Sequence, residues 1–326
     1  MLNNLCYYSA DKKIFANKIE AIKYKQQTGN EIYFYYHDTE YQAVDWKTEP
    51  PESIDYYYRE QAQRIRDNYD YVVLCCSGGY DSTNILETFH YNGIKLDKIV
   101  VVGALSQDSH SGVDENHNGE LYHNIFPYLK ELGLESITQL CDYSQLFNDP
   151  ENFSIYQYGN EWTYTLNGWY SPHNWFWNDL EKYVVPEQYK DKKVAIIFGK
   201  DKPEIEKNVF RFKDVRAVSY AYKDRISNID RINFYWDPSY PQILVKQLHM
   251  LRHGGNPDAV VYKLRKPLIF KSPKSPLNII SLRDAFLLKN RNSKVFDFYK
   301  SGLMKIRSQI NINNIEVIYS RPYAVV

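Results

Sequence analysis

The spacing of apolar positions changes repeatedly along this chain, and each change predicts an element. Cys6-Tyr7-Tyr8 and Ile32-Tyr33-Phe34-Tyr35-Tyr36 read as strands, with a short helix over Ala16–Gln27 between them. Glu49-Pro50-Pro51-Glu52-Ser53 breaks the pattern, and the next helix is expected from about Ile54 to Asn68. An alternation follows. Tyr71-Val72-Val73-Leu74-Cys75-Cys76 is an unbroken apolar run, and the helical pattern over Ser82–Asn92 sets Ile85, Leu86 and Phe89 on one face. Ile99–Val102 and Ile137–Cys141 read as further strands on either side of a helix over Glu120–Leu132, and Val194–Phe198 reads as a fourth. Such continuous β-branched runs separated by helices imply an α/β fold, with a parallel sheet covered on both faces. From about residue 240 the pattern is mostly helical, clearest over Pro241–Arg252 and Arg283–Lys289. Three units are therefore expected: a small α+β segment over 1–53, the sheet domain over 54–250, and a mostly helical region over 251–326.

Composition changes this picture in one place. The 326 residues are 44% apolar and 25% charged, as in an ordinary globular chain, and forty Lys and Arg balance forty Asp and Glu. The balance conceals a basic stretch. Residues 261–310 hold twelve basic side chains against two acidic ones, Asp284 and Asp297. Four cysteines do not make a disulfide framework in a chain this long, and the adjacent Cys75 and Cys76 point to opposite faces of one strand. No apolar run approaches a membrane span, and Met1-Leu2-Asn3-Asn4 does not open a secretion leader. A reduced, cytoplasmic protein without membrane association is expected.

The chemistry concentrates in Ser77-Gly78-Gly79-Tyr80-Asp81-Ser82, between the first buried strand of the alternation and its helix. Glycines allow close backbone approach, and a helix N-terminus aims unpaired N–H groups at an anion. The Ser77 and Ser82 hydroxyls suit a phosphate or pyrophosphate. Asp81 fits such a site when a cation is also bound, and Mg²⁺ shared between a carboxylate and phosphate oxygens meets that condition. Neither G-x-x-x-x-G-K-[ST] nor G-x-G-x-x-G follows this strand, so γ-phosphate transfer and dinucleotide binding are not favoured. A Ser/Gly turn that merely caps a helix is the plain alternative.

The run Ser77–Ser82 resembles the SGGxDS signature of the PP-loop, or N-type ATP pyrophosphatase, superfamily. The resemblance implies a doubly wound, adenine nucleotide alpha hydrolase-like sheet that binds ATP and Mg²⁺. It also implies cleavage between the α and β phosphates, so that a substrate oxygen is adenylylated and then displaced by a nitrogen or sulfur nucleophile. Over roughly residues 54–250 the chain is most similar to the synthetase domain of asparagine synthetases. On that likeness Ser77, Gly78, Gly79 and Ser82 cradle pyrophosphate and Asp81 holds Mg²⁺. Cys76, Val102, Phe198 and Gly199 contact the nucleotide largely through backbone groups. Phe198-Gly199-Lys200-Asp201-Lys202-Pro203-Glu204 stands where the family has its second ATP loop, of the form SGEGSDE.

Departures from the family pattern narrow the expectation. The glutaminase domain of glutamine-dependent members needs a cysteine after the initiator Met, whereas position 2 is Leu2, and about fifty residues are too few for that domain. No glutamine hydrolysis is expected, and ammonia would come as such or from a separate subunit. The family glutamate aligns with Lys200, which removes a base for incoming ammonia yet adds positive charge beside a leaving pyrophosphate. Lys200 and Lys202 are the expected catalytic residues. The leading expectation is an ATP-dependent ligase that amidates an amino acid or similar small molecule. The alternatives are adenylation of a base in RNA or DNA docked on residues 261–310, and a non-catalytic ATP-binding module.

Weaker features have plain readings beside functional ones. The loop Gln107–Glu120, with Asp108, Asp114, Glu115, His110 and His117, reads as a second-strand ligand loop or as a solvated turn. Four tryptophans between Trp162 and Trp177 read as a base-stacking surface or as core. Asn233-Phe234-Tyr235-Trp236-Asp237-Pro238 with Gln242, Lys246, Gln247 and His249 reads as a wall of the cleft or as domain packing.

Overall fold

A computed structural model describes residues 6–15, 18–103, 121–142, 180–199, 203–214, 228–254, 257–262, 264–265, 268 and 318–325. The four strands predicted from the sequence lie, with a fifth that was not, in a five-stranded, all-parallel sheet. Its strands are β4 (Tyr71–Cys75), β5 (Lys98–Gly103), β6 (Thr138–Asp142), β7 (Val194–Phe198) and β10 (Ile229–Asn233). They lie side by side as β10-β7-β4-β5-β6, so successive strands step outward from β4 in one direction and then in the other. Every residue of β4 and β7 is buried, as the unbroken apolar runs required. Among the described residues no helix is long and apolar enough to cross a membrane.

Helix α3 (Ile54–Asn68) begins at Ser53, whose Oγ accepts the Tyr56 amide at 3.2 Å. It buries Ile54, Tyr57, Tyr58, Gln61, Ala62 and Ile65, one face at helical spacing. At its end Arg66 meets Asp97 at 2.6 Å, and the Asp97 carboxylate also accepts the Val72 amide at 2.8 Å, joining helix, β4 and the approach to β5. Helix α4 (Tyr80–Tyr91) is buried from Ser82 to Phe89. The expected helix over Glu120–Leu132 is a π-helical turn, Leu121–Ile125, leading into α5 (Phe126–Glu131), with Pro127 in its first turn. On one face of the sheet, Glu181 of α6 (Leu180–Val184) takes Arg231 of β10 through two hydrogen bonds of 2.6 and 2.9 Å. Arg231, Ile196 and Val73 are register partners and so share that face.

The N-terminal residues form an antiparallel sheet, β2-β1-β3, from β1 (Cys6–Ala10), β2 (Lys13–Phe15) and β3 (Tyr33–Tyr36), with α1 (Lys18–Thr28) before β3 and α2 (Asp38–Gln42) after it. A third small sheet joins β8 (Ile205–Glu206), β9 (Val209–Phe210) and β11 (Tyr323–Ala324). Residues 318–325 are thus extended and return to the N-terminal half, where the Tyr319 carbonyl accepts the Phe34 amide at 2.9 Å. Between these sheets lies an aromatic layer. Phe212 packs within 4.7–5.8 Å of Tyr36, Tyr41, Phe210, Trp236 and Tyr323. Inside it, fully buried Lys18 and Asp214 form an ion pair at 2.7 Å, and Tyr8 donates to Asp214 at 3.3 Å. Burial pushes the Asp214 carboxyl up despite Lys18.

Helix α7 (Gln242–Arg252) buries Ile243, Leu244, Val245, Gln247, Leu248 and His249 and packs on α3. The short helix α8 (Pro257–Val261) follows it. Arg283–Lys289 and almost all of the basic stretch lie outside the described residues.

Candidate functional site

The loop Ser77–Ser82 leaves the carboxyl end of β4, the central strand, at the point where the strand order reverses. Ligands of open α/β sheets collect at such points. Gly78 has φ 86°, a left-handed backbone for which glycine is the natural residue. Gly79 is the extended N-cap of α4, and its carbonyl accepts the Thr83 amide at 3.0 Å. The amides of Ser77 and Gly78 both donate to Ser82 Oγ, at 3.1 and 3.2 Å, and Ser77 Oγ lies 3.2 Å from the same oxygen. One buried hydroxyl therefore stands where two backbone donors and a second hydroxyl converge. That is the donor arrangement an anionic oxygen requires.

Gly199, directly after β7, closes the other side. A Cβ at this position would lie 2.9 Å from the Asp81 carbonyl carbon and 3.0 Å from both Asp81 Cβ and Ile85 Cδ1. Only a residue without a side chain lets the β7 loop approach α4 this closely. Gly199, in the second loop expected from the sequence, therefore lies against Asp81 of the first.

Of the remaining expected residues, Cys76, Val102 and Phe198 all sit at the carboxyl ends of their strands. The Cys76 amide donates to the Val100 carbonyl at 2.8 Å, and the Phe198 carbonyl accepts the Phe234 amide at 3.0 Å, so these two backbone groups serve the sheet. Cys75 and Cys76 are buried, and burial pushes the Cys75 thiol up. Lys200 and Lys202, the loop Gln107–Glu120 and the tryptophans between Trp162 and Trp177 lie outside the described residues. Glu204, beside the expected catalytic lysines, is ion-paired with Lys213.

Asp81 has partners that sequence spacing did not suggest. Its carboxylate accepts the hydroxyl of Tyr262, and its carbonyl accepts the Tyr235 hydroxyl at 2.7 Å. Asn84 Nδ2 donates to the Tyr235 oxygen at 3.0 Å, and the rings of Tyr235 and Tyr262 are 5.5 Å apart. Burial, then the neighbouring Tyr235 and Asp81, push the Tyr262 phenol well above its ordinary value, which keeps it a donor. Within the segment Asn233–Pro238, Tyr235 thus touches the site. Trp236 belongs to the aromatic layer, where its carbonyl accepts the Tyr41 hydroxyl at 2.8 Å. Lys246 pairs with Glu49 at 2.7 Å and His249 lies against the Trp46 carbonyl at 3.1 Å, so both serve packing. On the far side of the loop, Asn124 donates to the Gly78 carbonyl at 3.4 Å.

The donor set fits Mg²⁺ held together with a polyphosphate. Magnesium commonly takes one or two protein carboxylates, with substrate phosphates and water completing its octahedron. Asp81 supplies a carboxylate beside the hydroxyls and amides of the loop. Neither a protein-family model nor a curated protein matches the chain.

Proposed function

We propose that the chain binds ATP·Mg²⁺ at the Ser77–Ser82 loop and adenylylates a carboxylate or carbonyl-type oxygen for attack by ammonia or another amine. The observation that carries this reading is the close approach of Gly199 to the Ser77–Ser82 loop. Ser77–Ser82 and Gly199 come together where the strand order, 3-2-1-4-5 by position along the chain, reverses. This order matches the first five strands of a doubly wound nucleotide-binding sheet. It agrees with the PP-loop resemblance of the Ser77–Ser82 signature.

In this reading the amides of Ser77 and Gly78 and the hydroxyls of Ser77 and Ser82 bind the phosphate oxygens that become pyrophosphate. The Asp81 carboxylate would hold the accompanying cation, whose charge would offset that developing on the leaving group. Lys200 and Lys202, which lie outside the described residues, would supply the further positive charge that a leaving pyrophosphate calls for. The substrate oxygen attacks the α-phosphorus, the bond to the α–β bridging oxygen breaks, and pyrophosphate leaves with its electrons. The amine then forms a C–N bond, AMP leaves with the electrons of the C–O bond, and the amine gives up a proton.

The test is the product released from ATP·Mg²⁺ in the presence of amino acids, ammonia or RNA, with Asp81→Ala beside it. Pyrophosphate and AMP, lost in the variant, are expected. Phosphate and ADP that survive the variant would sink the proposal. A second reading directs the same adenylation at a nucleic-acid base, and rests on the twelve basic side chains of residues 261–310. RNA as the component that stimulates pyrophosphate release, with salt-sensitive binding, selects it over amidation.

A further inference from the structure

Resting on the ATP·Mg²⁺ reading above, we propose that Tyr262 is a positioning residue for the cation: its hydroxyl fixes the plane in which the Asp81 carboxylate meets the metal. The two residues are 181 positions apart, and the contact is built by a strap running from α8 to Arg265. The strap is pinned on both sides of Tyr262 without help from Asp81. Before it, the buried Tyr58 hydroxyl donates to the Val261 carbonyl at 2.9 Å. After it, the Arg265 amide donates to Glu87 at 2.9 Å, and the guanidinium lies 3.7 Å from the centre of the Tyr91 ring. Glu87 is itself held by the Tyr128 hydroxyl at 2.6 Å.

These pins deliver one buried hydroxyl to one oxygen of Asp81. The backbone carbonyl of the same residue is held by Tyr235, and Tyr235 by Asn84. Both ends of Asp81 are therefore fixed by phenols that come from outside α4. Carboxylates that ligate metals are characteristically hydrogen-bonded in this way, and losing the partner commonly costs about 10–100-fold in metal affinity. Because the pins are independent, removing the hydroxyl alone leaves the strap in place.

The experiment measures ATP binding by calorimetry across a series of Mg²⁺ concentrations, and again in EDTA, for the full chain and three variants. For Tyr262→Phe the Mg²⁺ concentration giving half-maximal enhancement of binding should rise about tenfold or more, with binding in EDTA unchanged. For Arg265→Ala the melting temperature should fall and the Mg²⁺ midpoint stay put, which separates positioning from mere strap stability. Asp81→Asn should abolish the Mg²⁺ enhancement. An unchanged midpoint in Tyr262→Phe, with the enhancement lost in Asp81→Asn, overturns the role of Tyr262. So does a lowered midpoint, which would make the phenol a competitor of the metal. Enhancement that survives Asp81→Asn overturns the metal reading of Asp81 itself, and the proposal falls with it.

Discussion

At the carboxyl edge of the parallel sheet, the loop Ser77–Ser82 is arranged by hydrogen bonds, two of its amides converging on one hydroxyl, with Ser77 exposed and Asp81 half-buried. The aromatic layer is arranged by rings and contains one fully buried ion pair, Lys18–Asp214. The difference is one of exchangeability. Bonds of the loop, from Ser77 and Gly78 amides to a serine oxygen, can be handed to an incoming phosphate oxygen at little cost, because donor and acceptor types match. No incoming ligand oxygen can take over the contacts of the layer, where each ring fills space for the others. Substitutions in the layer should therefore act on stability, and substitutions in the loop on ligand affinity.

The sharpest way to break this contrast is Lys18→Met. It leaves Asp214 buried opposite no cation, and removing one partner of a buried pair typically costs about 3–5 kcal/mol. Urea unfolding should show that loss. The double variant Lys18→Met/Asp214→Leu should recover much of it, since exchanging a buried pair for apolar groups is often neutral. A double variant as unstable as the single would mean that the pair itself, not the orphaned charge, holds the layer. Next in size is Ser82→Ala, which strips the acceptor from the Ser77 and Gly78 amides. Leaving such donors unpaired costs about 1–3 kcal/mol, and bound ATP should restore most of it, as melting temperatures with and without nucleotide would show. A deficit that nucleotide does not repair would place the loop in the same class as the layer.

Gly199→Ala sits on the boundary between the two behaviours. Its methyl would meet the Asp81 backbone at 2.9 Å, and backbone cannot rotate away as a side chain can. Overpacking of this kind costs about 1–3 kcal/mol. Because the displaced residue is Asp81, the Mg²⁺ dependence of ATP binding should weaken along with stability. A stability loss without any change in nucleotide binding would separate the β7 loop from the site.

The contrast also explains what the sequence made legible. Runs such as Tyr71–Cys75 and Val194–Phe198 announce buried strands because every position is apolar. The strand Ile229–Asn233 did not announce itself. Asp230 and Arg231 interrupt it, and they are tolerated because Tyr69 donates to Asp230 at 2.8 Å while Glu181 takes Arg231. The two-residue hairpin loops Asp11-Lys12 and Lys207-Asn208 both adopt positive φ without glycine, so neither carried the usual turn signature. Ser77–Ser82 was legible because its glycines and serines are contiguous. Tyr235 was legible only as part of a segment that walls the cleft or packs domains, and Tyr262 was not legible, because its relation to Asp81 exists only after 181 residues have folded back. The return of residues 318–325 to β9 and the Phe34 amide was hidden for the same reason.

The smallest effect expected concerns neither loop nor layer but the joint between α3 and β5, and it acts through pH. Burial raises the Asp97 carboxyl, but Lys95, Arg66 and the Val72 amide outweigh it, and the net shift is downward. A carboxylate with a depressed folded value binds protons more weakly in the folded state than in the unfolded one. Its contribution is therefore complete above the ordinary carboxylate range and is lost as pH falls through that range to the depressed value. Asp97→Asn removes the contribution at neutral pH, where stability should drop by roughly 1 kcal/mol. It removes the acid dependence as well, so the difference between the chain and its variant should shrink steadily below about pH 4. Denaturant midpoints measured from pH 7 down to pH 3 would show the two curves converging. Parallel curves would mean that neither Lys95 and Arg66 nor the Val72 amide lowers the Asp97 carboxyl in the folded chain.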